Sequence, residues 1–264
     1  AMDCRTKLYY KKMKYPQISS DYLELLRVGG YMVGKFAQLL FDGTEINFDG
    51  NIEVAYNSTM ELLEKNENIV LYEATFYKDN LLARVDVFVK NGNNLKIIEV
   101  KSSSYDSESY EVGSKPFMTK YKEKLQDVAF QYYVCKKLFP KATITASLMM
   151  PDKNKTVVVD NLPSFFSLRK DQQNSFYDVD FTGDIKNLRD SNFLTEIDVT
   201  EIVVSMTSEI EASANLFLSD LVNQGGINKF TTPLNKACRD CEFRANLKDD
   251  KDGYIECWGD LAKV

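Results

Sequence analysis

A chain of 264 residues, 44% hydrophobic and 27% charged, can bury one large core or a core with an appended subdomain. Its net charge of −6 excludes a protein that coats nucleic acid through a generally basic surface, while leaving room for a local basic path. The lack of any histidine removes Ser-His-Asp hydrolysis, Cys-His proteolysis and histidine-ligated zinc chemistry together, so carboxylate, lysine, tyrosine and cysteine form the reactive repertoire.

No apolar run approaches the roughly 18 residues that span a bilayer, and Ala1-Met2-Asp3-Cys4-Arg5 lacks the apolar stretch of a secretory signal. We therefore expect a cytoplasmic protein with no membrane partner. Ala1 before Met2 reads as the remnant of a cleaved tag and is kept out of the fold reasoning. The five cysteines, Cys4, Cys135, Cys238, Cys241 and Cys257, are an odd set that favours metal ligation over a disulfide framework in such a compartment.

At the start of the chain Arg5, Lys7, Lys11, Lys12 and Lys14 interleave with Tyr9, Tyr10 and Tyr15. That mixture suits phosphates and stacking on unpaired bases, and equally suits a solvated helix end. Ser19-Ser20-Asp21 predicts the cap of a helix on which Met32, Val33, Phe36, Ala37 and Leu40 recur at helical spacing, ending at Phe41-Asp42-Gly43. Gly29, Gly30 and Gly34 predict close packing along it. A second helical pattern runs through Ile52, Ala55, Tyr56, Thr59 and Leu63.

Three β-rich runs follow, Ile69 to Tyr77, Leu81 to Lys90 and Leu95 to Val100. Lys78-Asp79-Asn80 and Asn91-Gly92-Asn93-Asn94 divide them as hairpin turns. A helix is expected from about Phe117 to Leu138, closed by Pro140. Thr143 to Met150 and Thr156 to Val159 are strand candidates, and Met206 to Leu221 predicts a further helix. Residues 170 to 200 are polar and poorly periodic, which predicts a surface insertion. This order of elements gives an α/β fold, divided into a core with N-terminal helices at 3–168 and a C-terminal helical region at 169–264.

The residues with chemistry lie on the second hairpin. If its turn centres on Gly92-Asn93, residues whose numbers sum to 185 face one another, and Asp86 stands opposite Glu99. Like charges paired across a sheet destabilise it by about 0.2–1 kcal/mol unless a cation lies between them. Side chains alternate along a strand, so Glu99 and Lys101 share a face that Val100 does not. Hard oxygen ligands of this kind suit magnesium or manganese. Lys101 is placed to position or deprotonate a water, or to stabilise charge on a phosphorane, with its pKa expected to fall on partial burial. The plainer reading is an amphipathic hairpin on which Glu99 pairs with Lys101 or Arg84. Against it, Val85, Val87, Val89 and Ile98 make the reverse face apolar, and Phe88 and Ile97 flank the carboxylates.

Arg84-Val-Asp86, Glu99-Val-Lys101 and Asp127-Val-Ala-Phe-Gln131-Tyr-Tyr-Val together resemble the RecB-type branch of the PD-(D/E)xK nucleases, close to the CRISPR-associated RecB-like exonucleases. The resemblance implies a restriction-endonuclease-like core, a mixed central sheet flanked by helices. It also implies Asp86, Glu99 and the carbonyl of Val100 as metal ligands, Lys101 as the catalytic lysine, Gln131 as a site residue and Tyr132 or Tyr133 as a DNA contact. Many relatives supply a histidine ligand from an early helix. This chain has none, and Gln38 and Glu73 are the candidate substitutes, each with a plain structural role as the alternative.

Cys238-Arg-Asp-Cys241 is a C-x2-C step, and Cys257 follows after fifteen intervening residues, two features that together point to a metal centre. Cys4 is the fourth candidate, whereas Cys135 sits among apolar residues of a predicted helix and reads as core packing. One cysteine before the core and three after it resembles the iron-sulfur staple of the same RecB-like exonucleases and of AddB-type nucleases. That implies a 4Fe-4S cluster in a helical extension joining the N- and C-termini, with a Cys4 zinc site as the competitor. Closing a loop of more than 230 residues would stabilise the folded ends entropically. The chain stops seven residues after Cys257, so we expect either a domain of a longer protein or a compact member of the group.

The expected activity is that of a magnesium- or manganese-dependent DNA exonuclease acting on single-stranded ends, with repair or CRISPR proteins as the partners the resemblance implies. One alternative is a catalytically inactive DNA-binding module of the same fold, and another is an interaction domain held by a zinc staple.

Overall fold

Short polar side chains start the second and third helices but not the first. Helix α1 (Arg5–Lys12) begins at Cys4, which has extended backbone and no side-chain cap. Helix α2 (Asp21–Leu39) follows Ser20, whose Oγ accepts the N–H of Leu23. After the two-residue strand β1 (Thr44–Glu45), Asn51 caps α3 (Ile52–Lys65) by accepting from Glu53 and Val54. The period-two region forms β2 (Asn68–Lys78), β3 (Leu81–Asn91) and β4 (Asn94–Val100). Asp79 and Asn80 both take positive φ in the first turn, as tight hairpin turns require, and Gly92 does so in the second.

The helix expected from Phe117 to Leu138 is broken at Tyr121 into α4 (Lys115–Lys120) and α5 (Lys122–Leu138). Tyr121 is buried there, its ring 4.9 Å from that of Phe117 and 5.9 Å from that of Tyr105. Strand β5 (Thr143–Pro151) comes next, then β6 (Phe166–Lys170), β7 (Tyr177–Phe181), α6 (Ile185–Asp190), β8 (Leu194–Asp198), α7 (Thr200–Val222) and α8 (Gly253–Trp258). This computed structural model describes residues 4–18, 20–48, 50–157, 159–170, 177–190, 192–222, 232–245 and 251–263.

One six-stranded mixed sheet, in the order β1-β2-β3-β4-β5-β8, organises residues 25–211. β1 and β2 are parallel, as are β4 and β5, which α4 and α5 connect; the other neighbours are antiparallel. The fold is thus α/β with a mixed central sheet flanked by helices, compatible with a nuclease-like core. The β3–β4 register runs from Asn91↔Asn94 to Val87↔Ile98, the pairing by numbers that sum to 185.

Two sequence expectations fail. The region read as a surface insertion supplies β8, which pairs with β5 from Ser147↔Asp198 to Pro151↔Leu194. This short edge strand buries Leu194 and Ile197, three residues apart, so it shows no alternation by which the sequence could announce it. The described residues between 156 and 159 form no strand.

Both faces of the central strands are covered, which is why β3 and β4 read as nearly continuous apolar runs. On one face Val87 and Ile98 pack with Phe36, Ala37, Tyr72 and Met149. On the other, the Phe76 ring lies 4.8 Å from that of Phe88 and 5.9 Å from that of Phe139. Among the described residues no helix is long and apolar enough to cross a membrane.

Residues 1–24 and 212–264 form a second compact unit. Tyr10 of α1 is buried there, its ring 4.5 Å from that of Tyr15 and 5.4 Å from that of Phe243. Lys7 pairs with Glu242 at 2.6 Å, the N–H of Ile18 donates to the Glu242 carbonyl at 2.7 Å, and Thr6 and Thr232 join through their hydroxyls at 2.9 Å.

Candidate active site

The β3–β4 backbone ladder stops one step short of Asp86 and Glu99, the next pair in its register. There the Asp86 carboxylate takes over: Oδ2 accepts the N–H of Val100 at 2.6 Å. On the other side, β2 and β3 pair in a single register from Asn68↔Asn91 to Lys78↔Leu81, with one position skipped, Glu73 against Asp86. Glu73 has a φ of 56°, left-handed backbone that a residue with a Cβ adopts only at a cost. Glu73, Asp86 and Glu99 therefore form one row of carboxylates across three neighbouring strands.

Each member of the row meets a different partner. Glu99 is 7% exposed, and both its oxygens are taken, Oε1 by Lys101 Nζ at 2.7 Å and Oε2 by Gln131 Nε2 at 2.6 Å. Gln131 Nε2 also donates to the Arg84 carbonyl at 3.0 Å, while its buried Oε1 has no partner among the described residues. Lys101 reaches a second carboxylate, Asp127 Oδ2, at 2.7 Å. Glu73 Oε2 pairs with Arg84 Nη2 at 2.7 Å, and the guanidinium carbon lies 4.5 Å from the centre of the Phe48 ring.

These contacts set the charges. Burial, then the neighbouring Glu99 and Glu73, push the Asp86 carboxyl well above the usual carboxylate range, against the Val100 N–H and Lys101. Burial raises Glu73 as well, opposed by Arg84. For Lys101 burial acts downward, as the sequence reading expected, but Glu99 and Asp127 outweigh it, so the net shift is upward and the ammonium is held charged. The expected lowering of this pKa is thereby reversed, because two carboxylates meet the amine where the sequence reading allowed for burial alone.

Asp86 and Val100 line a cleft of about 840 Å3 in the larger unit, together with Glu73, Arg84, Gln38 and Lys35. Gly30 and Gly34 line it too. The close packing expected of them is absent: a Cβ at Gly34 would meet nothing within 4 Å, and one at Gly30 only the Ser102 hydroxyl at 4.0 Å. Small side chains there leave the cleft open. Gln38 faces this cleft from α2, while its backbone carbonyl accepts the Tyr72 hydroxyl at 2.7 Å. Tyr132 and Tyr133 are 9% and 5% exposed, and the Tyr133 hydroxyl contacts Glu211 at 3.2 Å. Neither ring is presented to a ligand. Asp127 was not singled out on its own, although it lies one helical turn before Gln131 on α5, and that spacing puts both on one face.

The cysteines divide as their surroundings suggested. Cys135 is fully buried on α5, and burial pushes its thiol up, as for a packing residue. Cys4, Cys238, Cys241 and Cys257 all belong to the smaller unit and are partly exposed. Lys7 interacts electrostatically with both Cys241 and Cys4, and Cys241 with Cys257. The N–H of Asn235 reaches Cys238 Sγ at 3.4 Å, and the Tyr10 hydroxyl lies 3.3 Å from Cys257 Sγ. Among the described residues, no group of three His, Cys, Asp or Glu side chains is arranged to hold a metal ion, at the carboxylate row or at the thiols.

No protein-family model matches the chain. It is 33% identical over 54 residues to an uncharacterized protein of Ureaplasma parvum serovar 3, a match that covers 20% of this chain and 8% of that protein.

Proposed function

We propose that the larger unit is a metal-dependent deoxyribonuclease of the PD-(D/E)xK type, RecB-like, which hydrolyses phosphodiester bonds at single-stranded DNA ends. The observation that carries this reading is the row Glu73, Asp86, Glu99, of which Glu73 and Asp86 line one cleft, with Lys101 2.7 Å from Glu99. The donor set fits a small hard cation, since burial and two neighbouring carboxylates make Asp86 costly to ionise and a cation would offset that cost. Magnesium or manganese at Asp86, Glu99 and the Val100 carbonyl would supply Lewis acidity and an activated water.

The chain's own groups do the rest. Lys101, held charged, stabilises negative charge growing on the phosphate. Asp127 fixes the ammonium from α5, and Gln131 fixes the plane of the Glu99 carboxylate. Strand preference and repair or CRISPR partners follow from the resemblance alone, and the cytoplasmic location from the sequence reading, in which no apolar run reaches membrane-spanning length.

For the smaller unit we propose that Cys4, Cys238, Cys241 and Cys257 hold a 4Fe-4S cluster, with zinc as the competing occupant. Its support is that all four cysteines belong to this unit and are partly exposed, and that Lys7 lies within electrostatic reach of Cys4 and Cys241, and Cys241 of Cys257. The role is structural, tying the first helix to the last segments of the chain.

A second reading, a DNA-binding module of nuclease fold without turnover, is favoured by one observation: Lys101 and Gln131 each take one Glu99 oxygen, so a cation has to share those oxygens with two donors already in place. Cleavage of a labelled oligonucleotide in manganese separates the two. On the nuclease reading Lys101→Ala loses about 100- to 10,000-fold in rate. Equal background in wild type and variant, with DNA binding retained, would sink that reading and leave the binding module.

A further inference from the structure

We propose that Arg84 is the residue of this cleft that binds a backbone phosphate of the nucleic acid, held ready by Glu73 and Phe48. The inference rests on the nuclease reading and extends it to how the substrate enters an acidic site. A phosphodiester that approaches Glu73, Asp86 and Glu99 is repelled unless a fixed cation meets it. Arg84 lies two residues before Asp86 on β3, so both project from the same face of the sheet. Its backbone carbonyl accepts from Gln131 Nε2, which also holds Glu99, so the base of the side chain is tied to the carboxylate row.

The guanidinium is held at two points, Nη2 on Glu73 at 2.7 Å and its carbon 4.5 Å from the Phe48 ring centre. Phe48, Glu73 and Arg84 all line the cleft. The two ionic side chains remain 32% and 30% exposed, so water screens their pair and a phosphate can compete for the guanidinium. The Nε–H is buried and has no partner among the described residues, so the guanidinium is not locked on that side and its outer Nη edge is the part offered to a phosphate. A planar fork of donors matches two phosphate oxygens at once, which a lysine cannot do. Glu73 acts here as a positioning residue, and its left-handed backbone at the skipped ladder position is the strained geometry that supports this placement. Arg27 and Lys35 of α2 add positive charge along the same wall.

The test uses the full chain, manganese and a single-stranded oligonucleotide, with a matched oligonucleotide carrying neutral methylphosphonate linkages. Arg84→Gln is expected to raise KM by about 10- to 100-fold with a smaller change in kcat, the reverse of Lys101→Ala. It should also lose the wild-type preference for charged over neutral linkages. Arg84→Lys should fall between the two, and Glu73→Gln should raise KM less than Arg84→Gln. A folded Arg84→Gln protein, judged by its melting temperature, with wild-type KM and linkage preference would overturn the inference and leave the nuclease reading intact. If Arg84→Gln does not fold, Arg84→Lys decides: wild-type KM and linkage preference in that variant overturn the fork. A wild type that neither cleaves nor binds either oligonucleotide overturns both.

Discussion

The backbone N–H of Val100 donates to the Asp86 carboxylate at 2.6 Å, at the position where strand-to-strand pairing between β3 and β4 has just ended. A side chain thus replaces a ladder hydrogen bond beside a cleft, and it does so with a carboxyl group that burial and two acidic neighbours make costly to ionise. β4 is meanwhile held from its other edge, where Val100 pairs with Met149 and the Lys101 N–H donates to the Met149 carbonyl at 3.0 Å.

A cation bound at this point should therefore stabilise the fold. At about one hundred times its dissociation constant, a bound ion adds about 2.7 kcal/mol, or about 5–10 °C in melting temperature for a domain of this size. Wild type should show that shift in manganese or magnesium, measured by calorimetry. Asp86→Asn, which keeps an oxygen for the Val100 N–H, should not. An equal shift in both proteins means that the ion binds elsewhere.

Gln131→Leu keeps the approximate volume of the side chain and removes the donor shared by Glu99 and the Arg84 carbonyl. The carbonyl and one Glu99 oxygen are left short of a partner in a buried setting, at a cost of about 1–3 kcal/mol in denaturant unfolding. Loss of the clamp on Glu99 should also slow cleavage by about 10- to 100-fold. Unchanged cleavage at unchanged stability would remove Gln131 from the site.

In the smaller unit, a Cβ on Gly253 would lie 2.7 Å and 2.8 Å from two carbons of the Tyr10 ring and 3.0 Å from the Phe243 Cβ. Gly253→Ala should push α1 from the segment that carries Cys257, costing about 1–3 kcal/mol. Iron or zinc content per chain, measured by elemental analysis after anaerobic purification, should fall with it. Tyr10→Phe keeps the ring and removes only the hydroxyl beside Cys257 Sγ, so bound metal should leave faster to a chelator without a comparable loss of stability. Wild-type metal content and release in both variants would contradict the four-thiol site.

Asp152 supplies a pH-dependent test of the fold. It is 2% exposed and accepts from the N–H groups of Ser107 and Asn154 and from the Thr195 hydroxyl at 2.8 Å. Burial acts to raise its pKa, but these donors outweigh burial and hold the carboxyl below its ordinary value. A carboxyl with a depressed folded pKa contributes stability above its unfolded value, about 4, and loses that stability as the pH falls through the folded value. The stability gap between wild type and Asp152→Asn should be complete at pH 7 and close below about pH 4. A gap that is constant with pH would show that shape, not charge, matters at this position.

Much of the hairpin was legible because its signals are local. Positive-φ turn residues and strict alternation set the β3–β4 register, and with it the opposition of Asp86 and Glu99 across the hairpin. Glu73 was visible only as a candidate substitute for histidine, since its place in the carboxylate row depends on the pairing of β2 and on a skipped position that no periodicity announces. Asp127 was missed as a partner of Lys101 for a related reason: the contact requires α5 to pack against the sheet. The tyrosines that looked like DNA contacts turned out buried, because an aromatic residue on a helix reads the same from sequence whether it faces a ligand or the core.

The amino-acid order by itself determined the β2–β4 meander and the helices before it, the hairpin register, the absence of histidine chemistry and the separation of Cys135 from the other four cysteines. These depend on neighbours a few residues away, whose steric and hydrogen-bonding demands are written in the chain. Only the tertiary structure decided that Glu73 joins Asp86 and Glu99, that Lys101 is held charged between two carboxylates, and that α1 packs with the segments bearing Cys241 and Cys257. Such contacts bring together residues up to 247 positions apart, as Tyr10 and Cys257 are, and arise from the burial of apolar surface, which is non-directional and leaves little local trace of which partners will meet.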